Sequence, residues 1–260
     1  MTKSLHLALL VCDTPMPEVL EKHGDYRTMF STVFGLAAKD LDITLTWDFF
    51  DVVEAQAYPS LEAIGNRTYD AIVLTGSKYN AHDNTPWIVK LMDFLKTVRV
   101  EYHQRVRLVG ICFGHQILLR ALGGMTGRNE KGWEVGYTEI QLTSFGKTFF
   151  DTDRTFLRIN QFHQDHVSKL PDGFQTLAFT ENNTPHHATV SDDRQCITVQ
   201  GHPELNKDAV KIMVEKRKEA GIVPAQVADK ALEALKLNGL NMEDVWLCKK
   251  FLQFIITLNK

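Results

Sequence analysis

Apolar and polar positions along this chain switch between two periods, and the switching predicts its elements. The stretch LHLALLVCD, Leu5 to Asp13, is a nearly continuous apolar run that ends in turn chemistry at Pro15 and Pro17. It suits a central strand buried on both faces. Residues Thr14 to Asp25 then read as a long loop. In DYRTMFSTVFGLAA the apolar residues Tyr26, Met29, Phe30, Val33, Phe34 and Ala37 recur at helical spacing, and DITLTWDFFDVV returns to a strand pattern. Next, YDAIVLTGS predicts a buried strand stopping at Gly76, PWIVKLMDFLKTV a helix with Pro86 at its start, and VRLVGIC another buried strand before a helix through Gln116 to Leu122. Alternation of this kind implies an α/β fold with a parallel sheet and right-handed crossovers.

Beyond that helix the pattern changes to short alternating runs, YTEIQLTS, GFQTLAFT and QCITVQG, separated by Gly, Pro and Asn. These predict strands, some antiparallel, that complete the sheet or build a small side sheet. From about residue 206 the chain is helical: KDAVKIMVEKRKEA, PAQVADKALEALKL and NMEDVWLCKKFLQFII. No repeat or linker interrupts it, so the expectation is one domain over 1–260, with a core at about 5–205 and a helical C-terminal extension at about 206–260.

Composition narrows the function classes. A length of 260 residues allows one large α/β domain, and a formal net charge of −3 lacks the basic excess of a nucleic-acid binder. Cys12, Cys112, Cys196 and Cys248 are scattered, with no C-x-x-C pair, so neither a disulfide framework nor a zinc ligand set is expected. No apolar stretch approaches the ~20 residues of a membrane span. His6 interrupts the only signal-like run, and the expected location is the cytoplasm. No P-loop or Rossmann glycine fingerprint is present, and no cofactor is expected.

The chemistry starts at Gly110-Ile111-Cys112-Phe113-Gly114. A G-x-nucleophile-x-G stretch between a buried strand and a helix places the nucleophile in a tight, strained turn. At the helix N-terminus, amide dipoles favour a Cys112 thiolate, and the Phe113 N–H points toward an oxyanion at the attacked carbonyl. By chance such a pattern occurs roughly 0.015 times in a chain of this composition. A base lies in VQGHPEL: His202 follows a predicted strand, and Glu204, two residues on across Pro203, falls on the same side of an extended segment to orient the imidazole. The strand ending at Gly76 and Ser77 leaves free N–H groups at the carboxyl edge of the sheet, and Gly76 is the second candidate oxyanion donor. In NQFHQDHV, His163 and His166 read as a polar, histidine-rich loop in preference to a metal site, so no metal is assigned.

At these residues the sequence resembles the class I glutamine amidotransferases, whose cysteine lies in G-x-C-x-G-x-Q and whose acid stands two positions after the histidine. Here those motifs are Gly110 to Gln116 and His202-Pro203-Glu204. The resemblance implies a flavodoxin-like three-layer α/β/α fold with a mostly parallel central sheet. It also implies a substrate pocket shaped by Ser77, Gln116, His163, Gln164 and Asp165. Where many members carry Pro-Gly-Gly in the oxyanion loop, this chain has Thr75-Gly76-Ser77-Lys78. Along most of its length the chain is similar to free-standing members such as the plant γ-glutamyl peptidases.

The chemistry implied is acyl transfer at a γ-glutamyl carbonyl through a Cys112 thioester. The expected substrate is glutamine or another γ-glutamyl compound. Only 56 residues follow Glu204, and they read as helices, leaving no room for a synthase domain. Ammonia would therefore pass to a separate synthase subunit, or the protein hydrolyses glutamine or γ-glutamyl peptides itself. A cysteine α/β-hydrolase would place its acid before the histidine, a DJ-1-like protein would lack the GHPE segment, and a non-enzymatic regulatory subunit would carry the same residues without turnover.

Overall fold

Strand β1 (Lys3–Val11) buries alternate residues on opposite faces: Leu5, Leu7 and Leu9 enter one hydrophobic cluster, Ala8 and Leu10 another. The structure, a computed structural model, describes residues 3–181, 183–238 and 242–259. The chain continues through α1 (Pro17–His23), α2 (Tyr26–Lys39), β2 (Ile43–Asp51), α3 (Leu61–Gly65), β3 (Ala71–Leu74), α4 (Pro86–Glu101), β4 (Arg107–Ile111) and α5 (Phe113–Ala121). After these come β5 (Met125–Arg128), β6 (Glu134–Leu142), α6 (Ser144–Phe150), β7 (Phe156–His163), β8 (Asp165–Lys169), β9 (Phe174–Phe179), β10 (Ala188–Ser191) and β11 (Cys196–Val199). Helices α7 (Lys207–Glu219), α8 (Ala225–Asn238) and α9 (Asp244–Ile256) close the chain. Asn241, at the head of the last predicted helix, and residues 1, 2 and 260 lie outside the described residues.

Among the described residues the main sheet has nine strands in the order β2-β1-β3-β4-β11-β10-β9-β6-β7. From β2 to β11 neighbours run parallel, and from β11 to β7 they run antiparallel. All three late alternating runs, now β6, β9 and β11, thus extend the central sheet, and the small side sheet is the pair β5–β8, which no predicted run covered. Helices cover both faces in three layers. Ile88, Leu91 and Leu95 of α4 pack with Ile117 and Leu118 of α5 on one side, while Phe30 and Phe34 of α2 pack with Phe251 and Leu252 of α9 on the other. Val210 and Val214 of α7 and Ala228 and Leu235 of α8 join the second cluster, so the tail helices complete the core of their own sheet.

Three expectations need correcting. The long loop after β1 contains α1, begun by Pro17 at its first turn, where a missing N–H costs nothing. The histidine-rich loop is the end of β7 and the start of β8, whose alternation was masked because polar residues such as Asn160, Gln161 and Asp165 face the buried side. The segment from His202 to Glu204 is a single antiparallel bridge to Asn160 followed by a turn, not an extended run. The His202–Glu204 contact forms within that turn.

Candidate functional site

The parallel register places β3, β4 and β11 side by side, pairing Leu74 with Gly110 and Ile111 with Val199. Their carboxyl ends therefore bring Thr75–Gly76, Cys112 and Gln200–His202 together, at the edge where open α/β sheets hold ligands. Cys112 caps α5 with φ 51° and ψ −104°, a conformation costing a non-glycine residue on the order of 1–3 kcal/mol. Its N–H donates to Val199 O at 2.9 Å and its carbonyl accepts from Gln116 N at 3.0 Å, so strand and helix together hold the strained turn. The flanking glycines are required by close packing. A Cβ on Gly110 would come 2.5 Å from Gly114 O, and one on Gly114 would come 2.6 Å from Leu74 Cβ and O.

His202 is 4% exposed, and its Nδ1 lies 2.7 Å from Glu204 Oε1. Burial would lower the imidazole, but the charges of Cys112 and Glu204 and hydrogen bonds to both raise it well above its ordinary value. Among the described residues Nε2 meets no competing partner, which leaves it for Cys112. Gly76 fits between the two: a Cβ there would come 3.0 Å from His202 Cε1 and 3.6 Å from Cys112 Cβ.

The loop without Pro-Gly-Gly is held by other means. Thr75 Oγ1 donates to Gly76 O at 2.9 Å and accepts from Cys12 N at 2.9 Å, while Thr75 O accepts from Gly114 N at 3.1 Å. Asp13 then takes both the backbone N–H of Lys78 at 2.7 Å and its ammonium at 2.9 Å. Ser77 accepts from Tyr79 N at 3.2 Å and faces the same cavity as Cys112.

A cavity of about 710 Å³ opens above Cys112 and His202. Its walls include Ser77, Gln116, His163, Gln164 and Asp165, and the structure thus gathers the pocket residues that the resemblance implied. Gln116 Nε2 donates to Asp165 O at 2.9 Å and to Gln200 Oε1 at 3.0 Å. Phe113 turns away, its ring stacked 5.5 Å from Trp87, so only its backbone can face the site. Asp165 lies 3.2 Å from Arg128 Nε and 3.4 Å from His82 Nδ1, and Gln164 Oε1 accepts from Arg128 at 2.8 Å.

Several contributors escaped sequence reasoning. Gln200 donates through Nε2 to Cys112 Sγ at 3.6 Å, a contact that its place two residues before His202 could have flagged. Tyr26, Met213, Arg217 and Ile222 line the cavity from α2, α7 and the residues just after α7, and no local pattern marks them.

Behind the cysteine, His115 is fully buried, with Nδ1 2.7 Å from Thr198 Oγ1. Burial, reinforced by neighbouring histidines, pushes its imidazole well below the ordinary value. As pH falls below about 6.5, the unfolded chain takes up a proton here that the folded chain refuses, so stability is lost on acidification. Replacing His115 with Gln should flatten that loss by up to one proton, about 1.4 kcal/mol per pH unit. Urea melts of parent and variant between about pH 5 and 7 would show it; parallel curves would remove His115 from the account.

Fold and cluster together define a three-layer α/β protein with a cysteine, a histidine and a glutamate gathered at the carboxyl edge of its parallel strands. The family model described as Glutamine amidotransferase class-I matches residues 48–216, and the chain belongs to that family. A glutamine amidotransferase-like protein of Schizosaccharomyces pombe is 36% identical over 88% of this chain and 90% of its own. Gamma-glutamyl peptidase 3 of Arabidopsis thaliana is 31% identical over 96% of this chain and 97% of its own. Among solved structures, a glutamine amidotransferase from Thermotoga maritima shares the fold with a TM-score of 0.66 at 19% identity, covering 98% of this chain and 99% of that one.

Proposed function

We propose that this protein is a cysteine-dependent hydrolase of γ-glutamyl amide bonds, acting on γ-glutamyl compounds larger than glutamine. The observation that carries this reading is the cluster of Cys112, His202, Glu204 and Gly76 at the floor of a cavity of about 710 Å³, within the about 300–1,000 Å³ of drug-sized ligand sites. Its far walls come from Met16 and Pro17 near the first strand and from Met213 and Ile222 of the tail, a volume that free glutamine would leave mostly empty. Similarity to gamma-glutamyl peptidase 3 supports the same leaving-group class.

In the proposed reaction His202 takes the Cys112 proton as Sγ attacks the γ-carbonyl carbon, and the N–H groups of Gly76 and Phe113 stabilise the oxyanion. Collapse breaks the C–N bond, His202 hands its proton to the departing nitrogen, and a γ-glutamyl thioester remains. Water then attacks, giving its proton to His202, and glutamate leaves as Cys112 recovers the proton. Glu204 keeps the imidazole in the tautomer these transfers need. Hydrolysis in place requires no synthase subunit. The other reading passes ammonia from glutamine to such a subunit, and the comparison of substrates below separates the two.

The test is glutamate release by the full chain from glutamine, glutathione and a γ-glutamyl dipeptide, with Cys112→Ala as blank. Peptide substrates are expected to exceed glutamine at least tenfold in kcat/KM. A preference for glutamine overturns the leaving group, and no release from any of them overturns the enzyme.

A further inference from the structure

Beside the cysteine site lies a second cluster that the proposed reaction does not use. Glu134, the first residue of β6, stands directly opposite His163, the last residue of β7, in the antiparallel register. His187 immediately precedes β10. Glu134 Oε2 lies 2.9 Å from His187 Nε2 and 3.1 Å from His163 Nε2, and the three donor atoms fall within 4.8 Å of one another. All three residues are buried. Glu134 also accepts from Thr180 Oγ1 at Oε1, 2.6 Å away, and from Thr184 Oγ1 at Oε2, 2.7 Å away, which fixes its carboxylate in place.

The tautomer of His163 makes this more than a polar cluster. Its Nδ1 lies 3.0 Å from the carbonyl oxygen of Asp165, which can only accept, so Nδ1 carries a hydrogen. In the neutral ring Nε2 is then a bare lone pair 3.1 Å from a carboxylate oxygen, and among the described residues no hydrogen bond satisfies it. Two acceptors 3.1 Å apart in a buried site repel unless something electropositive lies between them. A ring N–H given to a backbone carbonyl, with the second nitrogen pointing at other donors, is the arrangement of a metal-bound histidine. His187 Nε2 hydrogen-bonds Glu134 Oε2 at 2.9 Å, and among the described residues its Nδ1 meets no partner, so a cation can take the place of the Nε2 hydrogen while the ring carries its hydrogen on Nδ1.

We propose that Glu134, His163 and His187 form a binding site for a divalent cation of the zinc class. Two imidazoles and one carboxylate match the preference of zinc, and three protein ligands leave a fourth position open. His163 lines the cavity above Cys112, which gives an ion a route from solvent. The loaded site ties β6, β7 and the lead into β10 together behind the pocket wall. It also fixes Asp165 O, to which both His163 Nδ1 and Gln116 Nε2 are bonded. Reading the sequence could not group these three residues, because the partners of His163 stand 29 and 24 residues away in the chain.

The test uses the full chain carrying Cys112→Ala, which removes the thiol of the neighbouring site as a competing ligand. After chelator treatment, zinc titration by calorimetry should show one ion per chain with Kd at or below about 1 μM, and zinc should raise the melting temperature. His187→Ala should weaken binding about 10²-fold, while His166→Ala leaves it unchanged. X-ray absorption of the zinc-loaded protein should show Zn–N distances of about 2.0–2.1 Å from two imidazoles, a readout that stands even if a variant folds poorly. Absence of binding, or binding indifferent to His187→Ala, overturns the site and leaves a proton as the bridge. None of these readouts depends on γ-glutamyl hydrolysis.

Discussion

Replacing Cys112 with Ala is expected to remove at least about 10⁴-fold of γ-glutamyl hydrolysis, because no neighbouring group can form the thioester in its place. Cys12, Cys196 and Cys248 are buried away from the cavity, and burial raises each thiol, Cys12 and Cys196 to about 12, so none substitutes. The same position carries a second, opposite expectation. Cys112 sits at φ 51°, where a side chain is strained and glycine is not. Cys112→Gly should therefore melt above Cys112→Ala by about 1 kcal/mol, or roughly 2–4 °C for a chain of this size, although both are inactive. Thermal melts and single-turnover assays of the pair separate the two effects. Full activity in either variant would remove Cys112 from the chemistry, and equal melting temperatures would deny the strain.

Replacing Glu204 with Gln is expected to cost about 10³–10⁴-fold in kcat with the fold intact. Glu204 is fully buried at its side chain, and Oε1 meets His202 Nδ1 at 2.7 Å. A carboxylate there accepts the Nδ1 hydrogen and leaves Nε2 free to take the Cys112 proton. An amide can offer N–H to Nδ1 instead, which moves the imidazole hydrogen to Nε2 and blocks that transfer. Losing the carboxylate charge also removes one of the groups that hold His202 above its ordinary value. Two measurements check this: kcat, and the His202 titration by NMR, which should move down. A loss under tenfold, or an unmoved titration, would make Glu204 a packing residue.

How much of this was legible beforehand differs by element. The helical spacing of Tyr26, Met29, Phe30, Val33, Phe34 and Ala37 predicted α2, and all six are buried in one cluster. Short, continuous apolar runs predicted β1, β3 and β4 because parallel central strands have no polar face to interrupt the pattern. Strands β7, β8 and β10 escaped because they bury Asn160, Gln161, Asp165 and Thr189, and the partners of two of these, Leu205 O for Asn160 and Arg128 for Asp165, come from distant segments. A polar residue satisfied by a distant partner looks, in sequence, like one satisfied by water.

The sequence by itself determined the turn that carries Cys112, since Gly110 leaves room there for the backbone of Gly114, and it placed His202 and Glu204 within reach of each other. Tertiary structure alone decided that β11 lies beside β4, setting His202 against Cys112 across 90 positions of chain, and that β6, β7 and the lead into β10 bring Glu134, His163 and His187 together. The reason is physical. Local pattern records how each segment meets its own turn or its own face, whereas strand order is settled by burial shared among segments that no local pattern relates.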